Sequence, residues 1–279
     1  MSQIPPIDSN RTIKLIEDFI KIRVSESKMN GVIIGISGGV DSAVTAFLAV
    51  RAIGAKKVQA FFFPSHTTPS EDLNDVQNLC TNLGLNLTVI GIQKIVQTFS
   101  EAIRQPEDMS SIEWMNLQPR IRQTIWYFFA NKLNCLVCGS SNKSELMVGY
   151  YTKFGDGAAD IMPIGDLYKT HVLQLAEFLK IPEKILKKAP SAGLFKGQTD
   201  EAEIGMSYSD LDRILLGLEL FGTVEEVAER LDISSNTVKR VLSMIYQSEH
   251  KRRGPIIFKL GVRTPGMDWR IPLVQPSEF

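Results

Sequence analysis

The sequence is poor in the residues that mark several classes of protein. Its 279 residues include only three cysteines and three histidines, and an odd cysteine count favours a reducing, cytoplasmic compartment over a disulfide framework. The formal net charge is zero, which gives no support to a surface that binds nucleic acid. No apolar run reaches the length of a membrane span, and the N-terminus lacks the apolar core of a signal peptide. These absences favour a soluble globular protein with no membrane and no nucleic-acid partner.

The most informative stretch is GVIIGISGGVDS, residues 31–42. Its apolar, β-branched beginning predicts a strand that is buried on both faces. Gly38 and Gly39 follow, and an apolar-periodic helix then begins near Asp41 and Ser42. A strand, a glycine turn and a helix start present several backbone N–H groups and a helix dipole to one anion. The stretch therefore predicts a phosphate-binding loop, although an ordinary turn between a strand and a helix has the same outline.

This loop is neither a Walker A motif, because it has no lysine, nor the dinucleotide motif GxGxxG. The motif SGGxDS after a buried strand resembles the loop of the N-type ATP pyrophosphatases. Those enzymes cleave ATP between the α and β phosphates, adenylate a substrate and release pyrophosphate. The resemblance implies that the bound anion is ATP.

Strands and helices alternate along the first part of the chain. A helix-periodic segment at residues 8–24 precedes the loop, and apolar runs at residues 58–63 and 85–92 predict two further strands with a helix at 70–83 between them. This alternation predicts an α/β fold with a doubly wound parallel sheet flanked by helices. A nucleotide is expected at the carboxyl ends of the strands, and the last quarter of the chain is predicted to be helical.

A fourth strand is predicted at residues 134–139, and the polar stretch GSSNKSE leads from it into another helix. Two such loops at the ends of neighbouring strands would face one crevice. The strand carries Cys135 and Cys138, whose CxxC spacing suggests a metal or sulfur-transfer site. One pair of cysteines cannot complete a tetrahedral zinc site, and a strand directs these two side chains to opposite faces. Burial in the core is therefore the preferred interpretation.

Residues 95–134 are predicted to be mainly helical. A long helix is expected to start with Asn116 as its N-cap, which places Pro119 in the first turn, where proline is tolerated. Arg120 and Arg122 follow directly. They are either a solvated pair or guanidinium groups aimed at a substrate.

Two polar segments, which begin at Gly149 and at Ala189, are longer than simple connections. Ordering such segments is costly, so each is expected to hold a ligand. The second segment is either a surface linker or a lid that docks on the protein. Its apolar residues Leu194 and Phe195 favour the lid. A basic turn at residues 249–255 is either solvated or a contact for phosphate or ribose.

The pattern of residues 223–241 is typical of a helix-turn-helix. A DNA-binding regulator that uses ATP as a ligand is therefore a competing interpretation. Four acidic residues within the segment offset most of the nearby positive charge, and affinity for DNA phosphates requires positive charge. A pair of helices that pack together is therefore preferred.

Six motifs in a fixed order make the family resemblance specific: SGGVDS, NLQPRIR, GSSNKSE, GYYTKFGDGAADIMP, APSAGLFKGQTDE and EHKRRGP. The chain is identified on these motifs as a member of the ammonia-dependent NAD synthetases. The resemblance implies an adenine nucleotide alpha hydrolase-like fold and one NAD synthetase domain over residues 1–279, with an N-terminal helix, an α/β core and a helical C-terminal part. It implies a ligase that uses ATP and Mg²⁺ to adenylate the nicotinate carboxylate of deamido-NAD, after which ammonia displaces AMP and gives NAD. Family members are homodimers whose dinucleotide site lies at the subunit interface.

Carried onto this sequence, the resemblance implies three sets of site residues. The catalytic residues would be Asp41, Glu145 and Lys169, of which Asp41 and Glu145 bind magnesium. The ATP-binding residues would be Gly35, Ile36, Ser37, Gly38, Gly39, Val40, Asp41, Ser42, Ser140, Lys169 and Ser191. The residues that contact deamido-NAD would be Arg120, Lys153, Asp160, His250 and Lys251. The chain departs from the family pattern at Ser140 and Ser191, which replace threonines, and at Pro119, where alanine is common.

Adenylation brings an anionic carboxylate against an anionic triphosphate, so cations must screen the repulsion. Magnesium and Lys169 would supply them. The rival interpretations within this fold are a tRNA-thiolating enzyme, which would depend on Cys135 and Cys138, and a GMP-forming enzyme, which would act on xanthylate. Glutamine is not expected as the nitrogen donor, because family members that take it carry an additional amidase domain and the motifs fill these 279 residues.

Overall fold

The computed structural model describes residues 4–65, 68, 70–108, 110–191 and 198–269. The strands are β1 (Gly31–Gly35), β2 (Val58–Phe62), β3 (Leu87–Val89) and β4 (Cys135–Cys138). The helices are α1 (Ser9–Glu26), α2 (Val40–Ile53), α3 (Ser70–Leu83), α4 (Gln93–Ile103), α5 (Ile112–Leu133), α6 (Lys143–Val148), α7 (Lys169–Phe178), α8 (Glu183–Leu186), α9 (Asp200–Ile204), α10 (Tyr208–Phe221), α11 (Val224–Leu231) and α12 (Ser235–Arg252). The strands form one parallel sheet in the order β3-β2-β1-β4.

Helices cover both faces of this sheet. Val32 and Ile34 of β1 pack with α1, α2, α3 and α7, whereas Ile33 points to the other face and packs with α4 and α5. All three side chains are at most 1% exposed, which explains the continuous apolar run of this strand. The prediction of a doubly wound α/β fold is confirmed.

The position of β4 next to β1 brings the two polar loops together. Ile34 lies opposite Cys138 in the parallel register, so both strands end at the same edge of the sheet. Cys135 packs on the side of α5 and Cys138 on the side of α2, as the strand period predicts. With Cys80, these cysteines are free and buried.

The start predicted for the long helix was wrong. α5 begins at Ile112, and Pro119 lies inside the helix rather than in its first turn. Proline at this position removes one backbone hydrogen bond. The ring is buried, and its Cβ lies 2.7 Å from the point where a Cβ on Gly155 would stand, so close packing on the loop after α6 offsets that loss.

The third strand is shorter than the apolar run that predicted it. Only Leu87–Val89 is regular, although Ile90 N still donates to Phe62 O at 3.0 Å and Ile92 N to Pro64 O at 3.3 Å. The chain therefore follows β2 beyond the end of the strand. It then turns away into α4.

The last quarter is helical, as predicted. α10, α11 and α12 share one apolar cluster with α6, and the helix-turn-helix segment buries Val227, Leu231, Val238 and Val241 in it. Its two helices therefore pack within the molecule, as preferred from their charge. In the described ranges, no helix combines the length and the apolar composition that a membrane crossing requires.

Candidate functional site

The phosphate loop, residues 35–42, is shaped by its own side chains. Ser42 Oγ accepts a hydrogen bond from Ser37 N at 3.1 Å and donates to Gly39 O at 3.0 Å, while Ser37 Oγ accepts from Gly39 N at 3.2 Å. Gly38 has a φ of +81°, which L-residues rarely adopt. The two serines thus hold the turn in place at the start of α2, where the helix dipole favours an anion.

Gly35 is required by packing as well. A Cβ on this residue would lie 2.2 Å from Cζ2 of Trp126 on α5. The glycine lets the indole ring lie directly against the end of β1. The family resemblance implies that Gly35 binds ATP, and in the structure its packing against Trp126 is a reason for its size.

Asn142 joins the second polar loop to the first. Its side chain accepts from Glu145 N at 3.0 Å while Glu145 accepts from Asn142 N at 3.3 Å, so the pair forms a capping box at the start of α6. Asn142 Nδ2 also donates to Asp41 Oδ1 at 2.9 Å. This bond ties the carboxylate of Asp41 to the loop that carries Glu145.

Lys169 lies between these carboxylates. Its Nζ contacts Asp41 Oδ2, is 3.8 Å from Glu145 Oε1, and stands 5.1 Å from the centre of the Tyr208 ring. The residue is 1% exposed and is the first of α7, where the helix dipole opposes a cation. The neighbouring carboxylates offset that effect, so the predicted meeting of Asp41, Glu145 and Lys169 is observed.

Asp212 fixes the start of α7. It accepts from Ser144 Oγ and from Thr170 N, and Ser144 Oγ in turn accepts from Lys169 N at 2.9 Å. Asp212 has no exposed surface. Its position on α10 therefore sets the direction in which Lys169 enters the site.

Asp200 is a third carboxylate that sequence reasoning did not assign. It lies at the start of α9, is 5% exposed, and accepts from the Tyr208 hydroxyl at 3.1 Å. Burial raises the pKa of Asp200, and the charge of Lys169 partly offsets that rise. The signal was present in the motif APSAGLFKGQTDE, which contains this aspartate, but the contact that gives it meaning exists only in the folded chain.

The carboxylates repel one another in this buried setting. The pKa of Glu145 is raised to about 8, because burial and the charges of Asp41 and Asp200 raise it more than Lys169 lowers it. Burial by itself would lower the pKa of Lys169, but Asp41 and Glu145 outweigh burial and raise it. The site thus favours additional positive charge.

Asp41 and Glu145 suit magnesium by their chemistry. Mg²⁺ prefers oxygen ligands and is commonly held by one or two carboxylates together with substrate phosphates. Across the described ranges no group of three or more histidine, cysteine or acidic residues is placed to hold a metal ion. A magnesium ion here would therefore take further oxygens from a bound nucleotide or from water.

The residues predicted to contact deamido-NAD form a second group near the loop after α6. Arg120 Nε donates to Lys153 O at 3.2 Å, and Lys153 Nζ lies 3.5 Å from His250 Nδ1. Lys251 Nζ donates to the carbonyl oxygens of Gly149 and Tyr151. Lys251 therefore holds the loop, while Arg120 and Lys153 stand at its surface.

Asp160, which is predicted to contact deamido-NAD, also has a structural role. It accepts from Val137 N at 2.7 Å and from the Tyr127 hydroxyl at 3.2 Å. It thereby ties the end of the loop to β4 and to α5. The polar segment that begins at Gly149 is also ordered by its own bonds, such as Thr152 N to Asp156 Oδ1 at 2.9 Å.

Two predicted ATP contacts have less support from geometry. Ser140 is half-buried in the loop between β4 and α6, and Ser191 is exposed at the end of the described range 110–191. Leu194 and Phe195, on which the prediction of a lid depended, lie outside the described residues.

Known proteins resemble this chain in sequence and in fold. The family model described as NAD synthase matches residues 12–255. An NH(3)-dependent NAD(+) synthetase of Archaeoglobus fulgidus is 45% identical over 251 residues, which cover 90% of this chain and 97% of that protein. A structure of NMN synthetase from Francisella tularensis matches with a TM-score of 0.81 and 32% identity over 91% of this chain and 100% of that one. An NH3-dependent NAD synthetase from Campylobacter jejuni matches with a TM-score of 0.77 and 31% identity over the same shares. The chain belongs to the NAD synthase family.

Proposed function

We propose that this protein is an ammonia-dependent NAD⁺ synthetase, a ligase that amidates deamido-NAD at the expense of ATP. The observation that carries the proposal is the meeting of Asp41, Glu145 and Lys169 at the carboxyl ends of β1 and β4. Membership of the family and the similarity to the Archaeoglobus protein support the same activity.

The proposed reaction has two steps. An oxygen of the nicotinate carboxylate attacks the α phosphorus of ATP, the bond to the β phosphate breaks, and pyrophosphate leaves with the negative charge. Ammonia then attacks the acyl carbon of the adenylate, loses a proton and displaces AMP. Both steps depend on bringing anions together, so positioning and charge stabilisation supply the rate.

Residues of this chain provide that positioning. The phosphate loop, which includes the buried Ile36 and Val40, presents backbone N–H groups to the phosphates. Asp41 and Glu145 would hold magnesium, which would supply positive charge against the phosphates. Lys169 adds a fixed positive charge from α7. Ser140 and Ser191 are proposed as further ATP contacts on the strength of the family resemblance.

The second group of residues is proposed to bind the dinucleotide. Arg120, Lys153 and His250 place donors at one surface, and cationic donors suit phosphate and carboxylate groups. Asp160 and Lys251 are proposed to act with them. Both also fix the loop, so they couple its shape to the substrate.

The test is to incubate the purified protein with ATP, MgCl₂, ammonium and deamido-NAD and to measure NAD, AMP and pyrophosphate. Equal amounts of the three products support the proposal. Absence of NAD while the protein remains folded would overturn it. Xanthylate and tRNA belong in parallel reactions, because they are the substrates of the rival enzymes of this fold.

Deamido-NMN is a second candidate substrate, because the Francisella structure that matches with a TM-score of 0.81 is an NMN synthetase. A comparison of kcat/KM for deamido-NAD and deamido-NMN separates the two activities. We expect deamido-NAD to be preferred, since the Archaeoglobus NAD(+) synthetase has the higher identity.

We further propose that the protein is a homodimer. Among the aromatic side chains of α5, Trp126 and Phe129 are partly buried and pack against the core, whereas Phe128 is 63% exposed and faces outward. α4 carries a further set of exposed apolar side chains, Ile95, Phe99 and Ile103, and such surfaces are typical of interfaces. Light scattering at the working concentration tests this, and a monomer would contradict it.

A cytoplasmic location and a single domain over residues 1–279 remain proposals as well. The location is supported by three free, buried thiols, which suit a reducing compartment. The domain proposal is supported by the extent of the family match. Fractionation of the source cells and limited proteolysis of the protein test the two.

A further inference from the structure

A second lysine stands beside the phosphate loop, in addition to Lys169. Lys188 Nζ lies 3.7 Å from the position that a Cβ on Gly38 would occupy. Gly38 is the glycine of positive φ in the turn between β1 and α2. The ammonium group is therefore within reach of a phosphate oxygen held by this turn.

The position of Lys188 is fixed by an ion pair. Its Nζ lies 2.7 Å from Oδ1 of Asp72, in the first turn of α3. The side chain of Asp72 is 14% exposed and that of Lys188 is 36% exposed. An ammonium group has three N–H donors, so the pair with Asp72 leaves donors that can turn toward the loop.

Lys188 and Lys169 differ in exposure and in the carboxylates with which they pair. The side chain of Lys169 is 2% exposed and its charge is shared by Asp41 and Glu145. Lys188 approaches from the side of α3, where Gly38 itself is buried next to the exposed Ser37. Since pyrophosphate leaves with the charge of the broken bond, a cation that is accessible to the loop favours its binding.

We propose that Lys188 binds the polyphosphate of ATP, in particular the part that leaves as pyrophosphate, and that Asp72 positions it. The inference rests on the proposed function only in taking residues 35–42 as the phosphate loop. The alternative is a purely structural role, in which the ion pair of Lys188 with Asp72 only holds the segment after α8 against α3.

The chain provides a matched control for that alternative. Lys184 of α8 pairs with Asp75 of α3 at 2.8 Å. This pair joins α8 to α3, and Lys188, two residues after the end of α8, joins the following segment to the same helix. The pair of Lys184 with Asp75 is not among the contacts of Gly38, so its loss should affect the packing of the two helices without affecting the loop.

The test compares Lys188→Gln with Lys184→Gln. Titration calorimetry measures the Kd of ATP and of inorganic pyrophosphate in the presence of MgCl₂, without turnover. We expect Lys188→Gln to weaken both by about 10-fold or more, the effect of losing one charge-assisted hydrogen bond, and Lys184→Gln to change them by less than about twofold. Equal changes in the two variants, or none in Lys188→Gln, would overturn the proposal.

Asp72→Asn provides a measurement that remains valid if Lys188→Gln folds poorly. It breaks the same ion pair but leaves the lysine. Weaker binding of pyrophosphate in Asp72→Asn at an unchanged Tm, with a smaller effect than in Lys188→Gln, supports the phosphate role of Lys188 and the positioning role of Asp72. Unchanged binding in Asp72→Asn would overturn the positioning role, and equal losses in both variants together with a lower Tm would show that the pair is only structural. Formation of NAD by the unaltered protein is measured separately, so a failure of the proposed function is not confused with a failure of this inference.

Discussion

The carboxylate of Asp41 and the ammonium group of Lys169 are in contact although 128 residues separate them along the chain. Asp41 lies in the first turn of α2 and Lys169 is the first residue of α7. The contact joins the starts of two helices across the end of the sheet. It holds a buried cation beside two more carboxylates, Glu145 and Asp200, and thereby defines the centre of the proposed site.

The magnesium requirement should rise when either proposed ligand loses its charge. Asp41→Asn and Glu145→Gln each replace a charged oxygen by a neutral one, which a hard cation binds less well. Titration of MgCl₂ in the NAD assay should show a higher half-saturating concentration and a lower maximal rate in both variants. Asp18→Asn, on the surface of α1, is the control. An unchanged magnesium dependence in both site variants would remove these residues from the metal site.

The free energy of unfolding should fall with rising pH through the titration of Glu145. A carboxyl with a folded-state pKa above its ordinary value of 4.5 stabilises the folded protein in its protonated form. That contribution is fully present below pH 4.5 and is lost as the pH rises through about 8, with a slope of at most about 1.4 kcal/mol per pH unit. Urea unfolding at several pH values in EDTA measures it.

Glu145→Gln should flatten this pH dependence, because glutamine cannot ionise. Glu226→Gln on α11, where the side chain is 41% exposed, should leave it as in the unaltered protein. The same slope in all three proteins would assign the effect to other groups. Addition of MgCl₂ and ATP should raise stability most at high pH, where the ionised carboxylate binds the cation.

Removal of the Lys153 side chain should raise the KM for deamido-NAD more than the KM for ATP. Its Nζ lies 3.5 Å from His250 Nδ1 at the surface of the loop after α6, and Lys153 is not among the residues that contact Asp41 or Lys169. Lys153→Ala should raise KM for deamido-NAD by about 10-fold through loss of a charge-assisted contact, with a smaller change in KM for ATP. Lys132→Ala on α5 is the control. A selective change in the KM for ATP would show that the loop binds the other substrate.

Asp160→Ala should also raise the KM for deamido-NAD more than the KM for ATP. It should in addition lower the free energy of unfolding. Asp160 also accepts from Val137 N and from the Tyr127 hydroxyl, so its removal leaves a backbone donor of β4 without its partner. Tyr127→Phe removes one of those contacts without touching the carboxylate. If Tyr127→Phe reproduces the full effect on KM, Asp160 acts through α5 rather than on the substrate.

The chain itself should use ammonia and not glutamine as its nitrogen donor. Glutamine hydrolysis generally needs an activated nucleophile such as a cysteine thiolate. Burial raises the pKa of Cys80 to about 11 and of Cys138 to about 12, and it also raises the pKa of Cys135. All three thiols are therefore protonated at neutral pH, and they should react slowly with thiol reagents in the native protein.

The measurement is NAD formation with ammonium or glutamine at equal concentration, after removal of contaminating glutaminase. Activity with ammonium should increase with pH as free ammonia is formed, until other groups titrate. Alanine variants of the three cysteines should retain this activity. Comparable rates with glutamine that a cysteine variant abolishes would show that one of the thiols is activated.

Sequence alone determined the elements whose local signals are strong. The β-branched run before Gly38 specified a strand buried on both faces, and the glycine pair with Asp41 specified a turn into a helix. The spacing of Cys135 and Cys138 placed them on opposite faces of a strand, where both are found. The six motifs specified the family because each preserves residue types that its chemistry requires.

Only the tertiary structure decided what depends on contacts between distant parts of the chain. Helix rules placed Pro119 in a first turn, but packing against Gly155 lets it lie inside α5. Asp200 lies within a family motif but, like Lys188, was not assigned from the sequence, because a carboxylate or an ammonium group gains its role from the charges that surround it. Those surroundings form only when α3, α7, α9 and the phosphate loop meet at one edge of the sheet, since electrostatic interactions depend on distance in space and not on separation along the chain.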